Sequence, residues 1–327
     1  MAIPHTLSER LALPAICAPL FLISTPELVT EARKGGLVGA LPRQNARTQG
    51  EFDSWLSTMS RMLDEWSDST GITPGPLAVN VPTTLPPDEL RRELELCARR
   101  DADVIITSVG KPTEVVRIAH DLGMAVHHDV TSIEFAEKAI EAGVDGLNCI
   151  GAGGGGHSGT ISHLALIPRI RRMFDGVVSL AGAVATGSAI RAAEVLGADL
   201  AFIGTRFSAT TESGADPLQK AWLASGTSRD LAYTRKVNGI PANWMLASLR
   251  HHGIDLDELP EPEERGHAHL PDGVTPWRDL WSAGQGIELI DNIPTAEEVI
   301  RQLAEEYVAA CAVPDRSASV QRLTGGA

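Results

Sequence analysis

Cysteine is scarce in this chain. It has four in 327 residues, Cys17, Cys97, Cys149 and Cys311, and no two of them form a C-x-x-C pair. A disulfide scaffold, a zinc ribbon and a dithiol redox motif therefore find no support. Positive charge is also short, with 28 Lys+Arg against 42 Asp+Glu, a net charge of −14. Nucleic acids and anionic membrane surfaces need basic patches, so the balance argues against both as partners. A local anion site stays open, because backbone N–H groups bind phosphate without net positive charge. No apolar run reaches membrane-span length. Arg10 followed by Leu11–Ile23 looks like a signal peptide. However, Pro14 and Pro19 interrupt the run, no small-residue cleavage site is clear, and Ser24-Thr25-Pro26-Glu27 reads as a helix start. The run is read as a buried strand, and a reduced, cytoplasmic protein is the expectation.

Apolar residues make up 43 % of the chain, enough for a sizeable core. Up to about residue 210, short apolar runs alternate with amphipathic stretches. The candidate strands are Pro14–Ala18, Leu37–Leu41, Leu77–Val81, Val104–Ser108, Ala125–His128, Gly146–Ile150, Val177–Ala181 and Leu200–Ile203. Their continuous apolar character fits strands covered on both faces. The helical patterns are Pro26–Lys34, Phe52–Trp66, Asp88–Arg99, Thr113–Leu122, Ile133–Ala142, Leu164–Phe174 and Ser188–Leu196. Gly35, Gly123, Gly143 and Gly197 stand as left-handed stops. Pro26, Pro87 and Pro112 stand in first turns. Alternating β and α implies a parallel sheet, and eight strands imply an α/β fold closed as a (β/α)8 TIM barrel. No short-period internal repeat is visible.

Beyond residue 210 the pattern changes. Four tryptophans, Trp222, Trp244, Trp277 and Trp281, together with prolines and the acidic stretch Asp255–Glu264, suggest a helical cap over the strand ends. The expected division is a barrel core at 1–210, a cap or substrate region at 211–282, a return segment with a C-terminal helix at 283–313, and a polar, frayed tail at 314–327.

In such a barrel, function sits at the C-terminal ends of the strands. The sixth strand runs into Gly151-Ala152-Gly153-Gly154-Gly155-Gly156-His157-Ser158-Gly159-Thr160. The run spells G-x-G-x-x-G, but a dinucleotide site wants it after the first strand, with an acid ending the next one. It nearly spells a P-loop, yet His157 occupies the lysine position. What remains is a loop whose backbone can closely approach a planar or phosphate-bearing ligand. Ala181-Gly182-Ala183 after strand seven and Gly204-Thr205 after strand eight stand where barrels bind phosphate, and Thr186 can cap the intervening helix. His157 is the candidate base. His127, His128 and Asp129 suggest a metal site, but neighbours on a strand face opposite ways, so no metal is expected and His128 is read as a substrate contact. His251, His252, His267 and His269 read as solvated positions, and Cys149 as a small buried hydrophobe.

These residues resemble the nitronate monooxygenases, formerly called 2-nitropropane dioxygenases, and related FMN-dependent reductases. The likeness covers Pro14 to Phe207 and returns at Trp281–Glu288. It rests on the glycine run ending in His157, Ala181-Gly182-Ala183 with Ala198-Asp199, Gly204-Thr205-Arg206-Phe207, Thr211-Glu212, Ala18-Pro19, Val79-Asn80-Val81 and Trp281-Ser282-Ala283-Gly284-Gln285-Gly286. The resemblance implies a TIM barrel that holds FMN non-covalently, without metal. Ala18, Asn80, Gly155, Gly182, Ala183, Gly204, Thr205 and Gln285 would contact the flavin. His157 would take the α-proton of a nitroalkane, and dioxygen would be the acceptor, giving a carbonyl compound and nitrite. His128 and Trp244 would meet the substrate. Ile150, Gly153-Gly154 and Ala183 depart from the residues that well-known members carry. The alternative implied by the likeness, with the His128-Asp129 pair as its mark, is an NAD(P)H-dependent or acyl-CoA-type FMN oxidoreductase, similar to enoyl-thioester reductases, with Arg169, Arg171 and Arg172 as a candidate basic patch. A flavin-free barrel isomerase or synthase acting on a phosphorylated substrate is the third reading. A homo-oligomer is compatible with all three.

Overall fold

The computed structural model describes residues 2–313; the expected frayed tail lies outside them. Eight strands close into a parallel barrel: β1 (Ala15–Cys17), β2 (Val38–Pro42), β3 (Leu77–Asn80), β4 (Val104–Thr107), β5 (Ala125–Val130), β6 (Gly146–Ile150), β8 (Val177–Ala181) and β9 (Leu200–Ile203). β1 closes the ring by pairing with β2 on one side and with β9 on the other, Ile16 opposite Phe202. The TIM barrel expected from the apolar runs is the observed architecture. Each run is apolar on both faces for a reason. Residues such as Val79, Ile105, Leu147 and Val178 meet the surrounding helices. Their alternates Ile16, Val38, Ala78, Val104 and Leu200 fill the lumen.

The helices begin and end on legible signals. Thr25, Thr48, Ser132, Thr186 and Thr295 each accept the backbone N–H of a first-turn residue through the side-chain hydroxyl. Gly197 stops its helix in the left-handed region at φ 104°. After Pro26–Lys34, however, Gly35 sits at φ −75° and the left-handed turn falls one residue later, at Gly36. The C-terminal helix Ala296–Cys311 docks on Gly187–Leu196. Gly187 N–H donates to Glu306 Oε2 at 2.7 Å, and the Tyr307 hydroxyl donates to Glu194 Oε2 at 2.8 Å. Below the barrel, Ala2, Ile3, Leu7 and Leu11 cover the N-terminal end of the lumen.

The segment 211–282 departs from the helical cap. Only Pro217–Ser225 and Leu246–His251 are α-helical there. Its organising element is a three-stranded antiparallel sheet of β10 (Leu231–Thr234), β11 (Ala242–Met245) and β7 (Gly156–His157), a two-residue strand contributed by the glycine loop. This small sheet carries its own core, with Trp244 fully buried among Val237, Ala242, Leu249 and Leu280. Burial of tryptophan was the right signal for an extra unit, but the type of unit was misjudged. Short strands paired across more than eighty residues leave no local periodicity to read. Among the described residues, no helix is long and apolar enough to cross a membrane.

Candidate active site

A cavity of about 920 Å³ opens at the C-terminal mouth of the barrel. It lies at the upper end of the roughly 300–1,000 Å³ typical of cofactor and small-molecule sites. Ala18, Gly155, Gly182, Ala183, Gly204 and Thr205 all line it, as do His128 and His157. Eight of the sequence-predicted positions, drawn from five separate strand ends, thus meet in one space.

The glycine loop is pinned from several sides. Asn243 Nδ2 donates to the Gly154 carbonyl at 2.6 Å, Gly156 N–H donates to Ser282 Oγ at 2.6 Å, and the Tyr233 hydroxyl donates to the Ser158 carbonyl at 2.8 Å. Gln285 N–H donates to the Gly153 carbonyl at 2.8 Å. Gly284 N–H donates to Thr205 Oγ1 at 2.9 Å, which ties the return segment to the end of β9. At Gly155 a Cβ would lie 2.9 Å from the Gly284 nitrogen. At Gly182, held at φ 123°, a Cβ would lie 3.0 Å from the Gly154 nitrogen. These positions need glycine because backbone packs on backbone there. Ala183 holds the same turn in a left-handed conformation, φ 57°, which costs about 1–2 kcal/mol for a residue with a Cβ. The result is a cradle of main-chain groups at two adjacent strand-to-helix turns. Thr186 starts the helix that follows the first turn. Such a donor set suits a phosphate.

His157 stands at the edge of this cradle, half-buried on β7. Its Nε2 lies 3.3 Å from Asn238 Nδ2. The Asn238 amide is oriented by its own Oδ1, which accepts the Ile240 N–H at 3.2 Å. The amide nitrogen therefore donates to His157 Nε2, and in the neutral ring the proton sits on Nδ1. The Trp277 ring meets the imidazole edge-on, 5.1 Å between centroids and 89° between planes. Burial and, secondarily, the Arg265 charge push the His157 pKa down to about 4. The ring is thus neutral at pH 7, and its Nε2 lone pair, which accepts the long Asn238 hydrogen bond, can take a proton once that contact is displaced. Trp277 itself has φ 70°, a left-handed conformation that a bulky residue adopts only when its surroundings impose it.

Three expectations need correction. Trp244 does not line the cavity. It fills the core of the accessory sheet and stacks on Trp277 at 4.4 Å, so it acts behind the residue that faces the cavity. Asn80 ends β3 with its amide donating to the Ile106 carbonyl at 3.2 Å, and Gln285 is exposed. Neither lines the cavity, although Gln285 packs on the glycine loop through Gly153. The arginine patch is dispersed. Arg171 pairs with Asp199 and donates to the Gly197 and Gly176 carbonyls. It stands in the last turn of His163–Arg171, at the end of the barrel opposite the cavity.

His128 lies on the outer face of β5, its Nδ1 2.7 Å from Thr107 Oγ1, and it lines the cavity, as do Val109, Lys111, Phe135 and Lys138. Burial pushes its pKa down to about 4. Sequence reasoning missed Asn238 and Trp277, which come from irregular stretches of the accessory segment and reach His157 only through the pairing of β7 with β11. Burial pushes the Cys149 thiol up to about 12, in keeping with a packing role. No group of three or more His, Cys, Asp or Glu among the described residues is placed to hold a metal ion.

Comparisons with known proteins show the family. The family model described as nitronate monooxygenase matches residues 57–306. A nitronate monooxygenase of Neurospora crassa is 25 % identical over 339 residues, covering 89 % of this chain and 88 % of that protein. The (3aS,4S,5R,7aS)-5-hydroxy-7a-methyl-1-oxo-octahydro-1H-indene-4-carboxyl-CoA dehydrogenase of Rhodococcus jostii is 25 % identical over 245 residues, covering 73 % of this chain and 65 % of that protein. The chain spans under two thirds of the length of the first curated relatives it matches. Among solved structures, FabK from Thermotoga maritima superposes with a TM-score of 0.72 at 22 % identity, covering 99 % of each chain, which is a likeness of fold. With the family model matching most of its length, the chain belongs to the nitronate monooxygenase family.

Proposed function

We propose that the protein is an FMN-dependent oxidoreductase that converts nitroalkanes and their nitronates, with dioxygen, to a carbonyl compound and nitrite. The family it belongs to is one of flavoenzymes. The observation that carries the reading is the placement of a neutral His157 at the edge of a main-chain cradle suited to a flavin phosphate. Gly155, Gly182, Ala183, Gly204 and Thr205 would hold the cofactor, with Ala18 beside them. FMN would supply the two-electron redox chemistry. The residues of the chain do the rest. Substrate displaces the Asn238 amide from His157 Nε2, that nitrogen takes the α-proton, and the electron pair of the broken C–H bond passes into the nitro group. Trp277 buttresses the ring and the Asn238 amide fixes its tautomer, so the base is oriented before substrate arrives.

The test separates proton abstraction from the steps after it. His157→Asn should slow turnover of neutral nitroethane by about 10²–10⁴-fold, the usual contribution of a positioned base. It should slow turnover of preformed ethyl nitronate far less, because that substrate has already lost its proton. Equal losses on both substrates would remove His157 as the carbon base.

A second reading is an oxidoreductase acting on a CoA thioester or taking hydride from NAD(P)H. It is supported by the Rhodococcus relative, whose name is that of a CoA-thioester dehydrogenase, and by the cavity lining, which includes Lys111 and Lys138 with the apolar Val109 and Phe135. Such a lining suits a long substrate with an anionic tail.

A further inference from the structure

Most of the barrel lumen is apolar, but the rung under the cavity is not. Asp129 on β5 stands opposite Asn148 on β6, which stands opposite Ser179 on β8. The three side chains share the parity of Ala125, Gly146 and Val177 and face inward. Asn148 and Ser179 are fully buried, and Asn148 Oδ1 and Ser179 Oγ have no hydrogen-bond partner. Asp129 lines the cavity, and its Oδ1 accepts one hydrogen bond, from Asn148 Nδ2 at 2.9 Å. Among the described residues, no cation pairs with it. Asp129 is itself partly exposed to the cavity, and a carboxylate withdrawn from bulk water needs a positive partner or several donors. This one has a single amide, and burial pushes its pKa up to about 7. The titratable groups around it do not compensate. His127 and His128 on its own strand are held neutral by burial, each pushed down to about 4, and Cys149 on β6 stays a thiol.

Removing a proton from the carbon next to a nitro or thioester group leaves negative charge on an oxygen. A neutral carboxylic acid in a dry site is an effective hydrogen-bond donor to such an oxygen. We propose that Asp129 is the oxyanion partner of His157: a carboxylic acid, oriented by Asn148, whose O–H donates to the oxygen that gathers charge when the substrate loses its α-proton. The electron pair of the C–H bond moves to that oxygen, the proton goes to His157 Nε2, and Asp129 keeps its own proton. This assignment rests on the proton-abstraction reading above and applies to either substrate class.

Nitrite, a small planar oxyanion that stays ionised above pH 5, is the probe. Its binding to the flavin-loaded protein is followed by the visible spectrum between pH 5.5 and 8.5. The dissociation constant should be flat below pH 7 and rise about tenfold per pH unit above it, as Asp129 becomes an anion and repels the ligand. Asp129→Asn should bind nitrite with no such break. Asn148→Ala removes the hydrogen bond that favours the charged form, so the break should move to higher pH. An infrared difference spectrum between wild type and Asp129→Asn near pH 6 should contain the C=O band of a protonated carboxylic acid, with or without flavin. The same pH slope in Asp129→Asn would overturn the proposal, and so would absence of the carboxylic-acid band. A protein that binds no flavin yet shows the band would instead overturn the functional reading on which the proposal rests.

Discussion

The barrel and the accessory segment 211–282 divide the work of the site unequally. The barrel contributes the cradle: glycines and a left-handed alanine at the ends of β6 and β8, and Thr205 at the end of β9. The accessory segment contributes everything that conditions His157: Asn238 on its Nε2, Trp277 against its ring, Arg265 as the nearby charge, and β11 as the strand that β7 joins. The proposed cofactor platform is built from regular elements. The setting of the proposed base is built from an irregular segment with a core centred on Trp244. Changes in one region should therefore leave the contribution of the other intact.

The largest expected effect lies in the accessory core. Trp244→Ala should destabilise that segment by about 3–5 kcal/mol, as for other large aromatic deletions from a core. Hydrogen exchange should quicken over residues 231–245 while the barrel strands stay protected. The flavin should remain bound, and turnover of neutral nitroethane should fall. Loss of flavin in this variant would show that the division is false. The next effect lies in the barrel. Gly155→Val places a side chain against the Gly284 nitrogen, 2.9 Å from the first added carbon. Flavin affinity should drop at least about tenfold, roughly 1.4 kcal/mol, with the accessory sheet unchanged by hydrogen exchange. The smallest effect is electrostatic. His157 accepts the substrate proton only when neutral, so activity on nitroethane should fall as pH drops through its pKa of about 4. Arg265→Ala removes a positive charge that disfavours the imidazolium, so this acid limb should move up in pH by a fraction of a unit. A shift in the opposite direction would show that Arg265 acts on His157 by some route other than charge.

The same division explains what the sequence disclosed. Runs such as Gly146–Ile150 and Val177–Ala181 coincide with the observed strands, because apolar residues covered on both faces leave an uninterrupted signal. The cradle was legible because close backbone approach requires glycine. Trp244 was misplaced because a tryptophan wanting burial does not reveal in which core it will lie. The contacts of Asn238 and Trp277 with His157 were invisible, since they depend on β7 pairing with β11, more than eighty residues further along. Asp129 was read for a metal site and, beside His128, as a mark of the alternative branch, not as an acid. Its significance comes from the neighbours that the barrel register provides, Asn148 and Ser179, not from its own strand.

The central claim is that the cradle holds a flavin for chemistry on nitronates, and an anaerobic titration of the purified protein tests it most directly. The account predicts a yellow protein that keeps its colour on addition of NADPH and then NADH, and bleaches when ethyl nitronate is added. Rapid bleaching by either nicotinamide, with none by the nitronate, would contradict it and move the enzyme to the reductase or thioester reading.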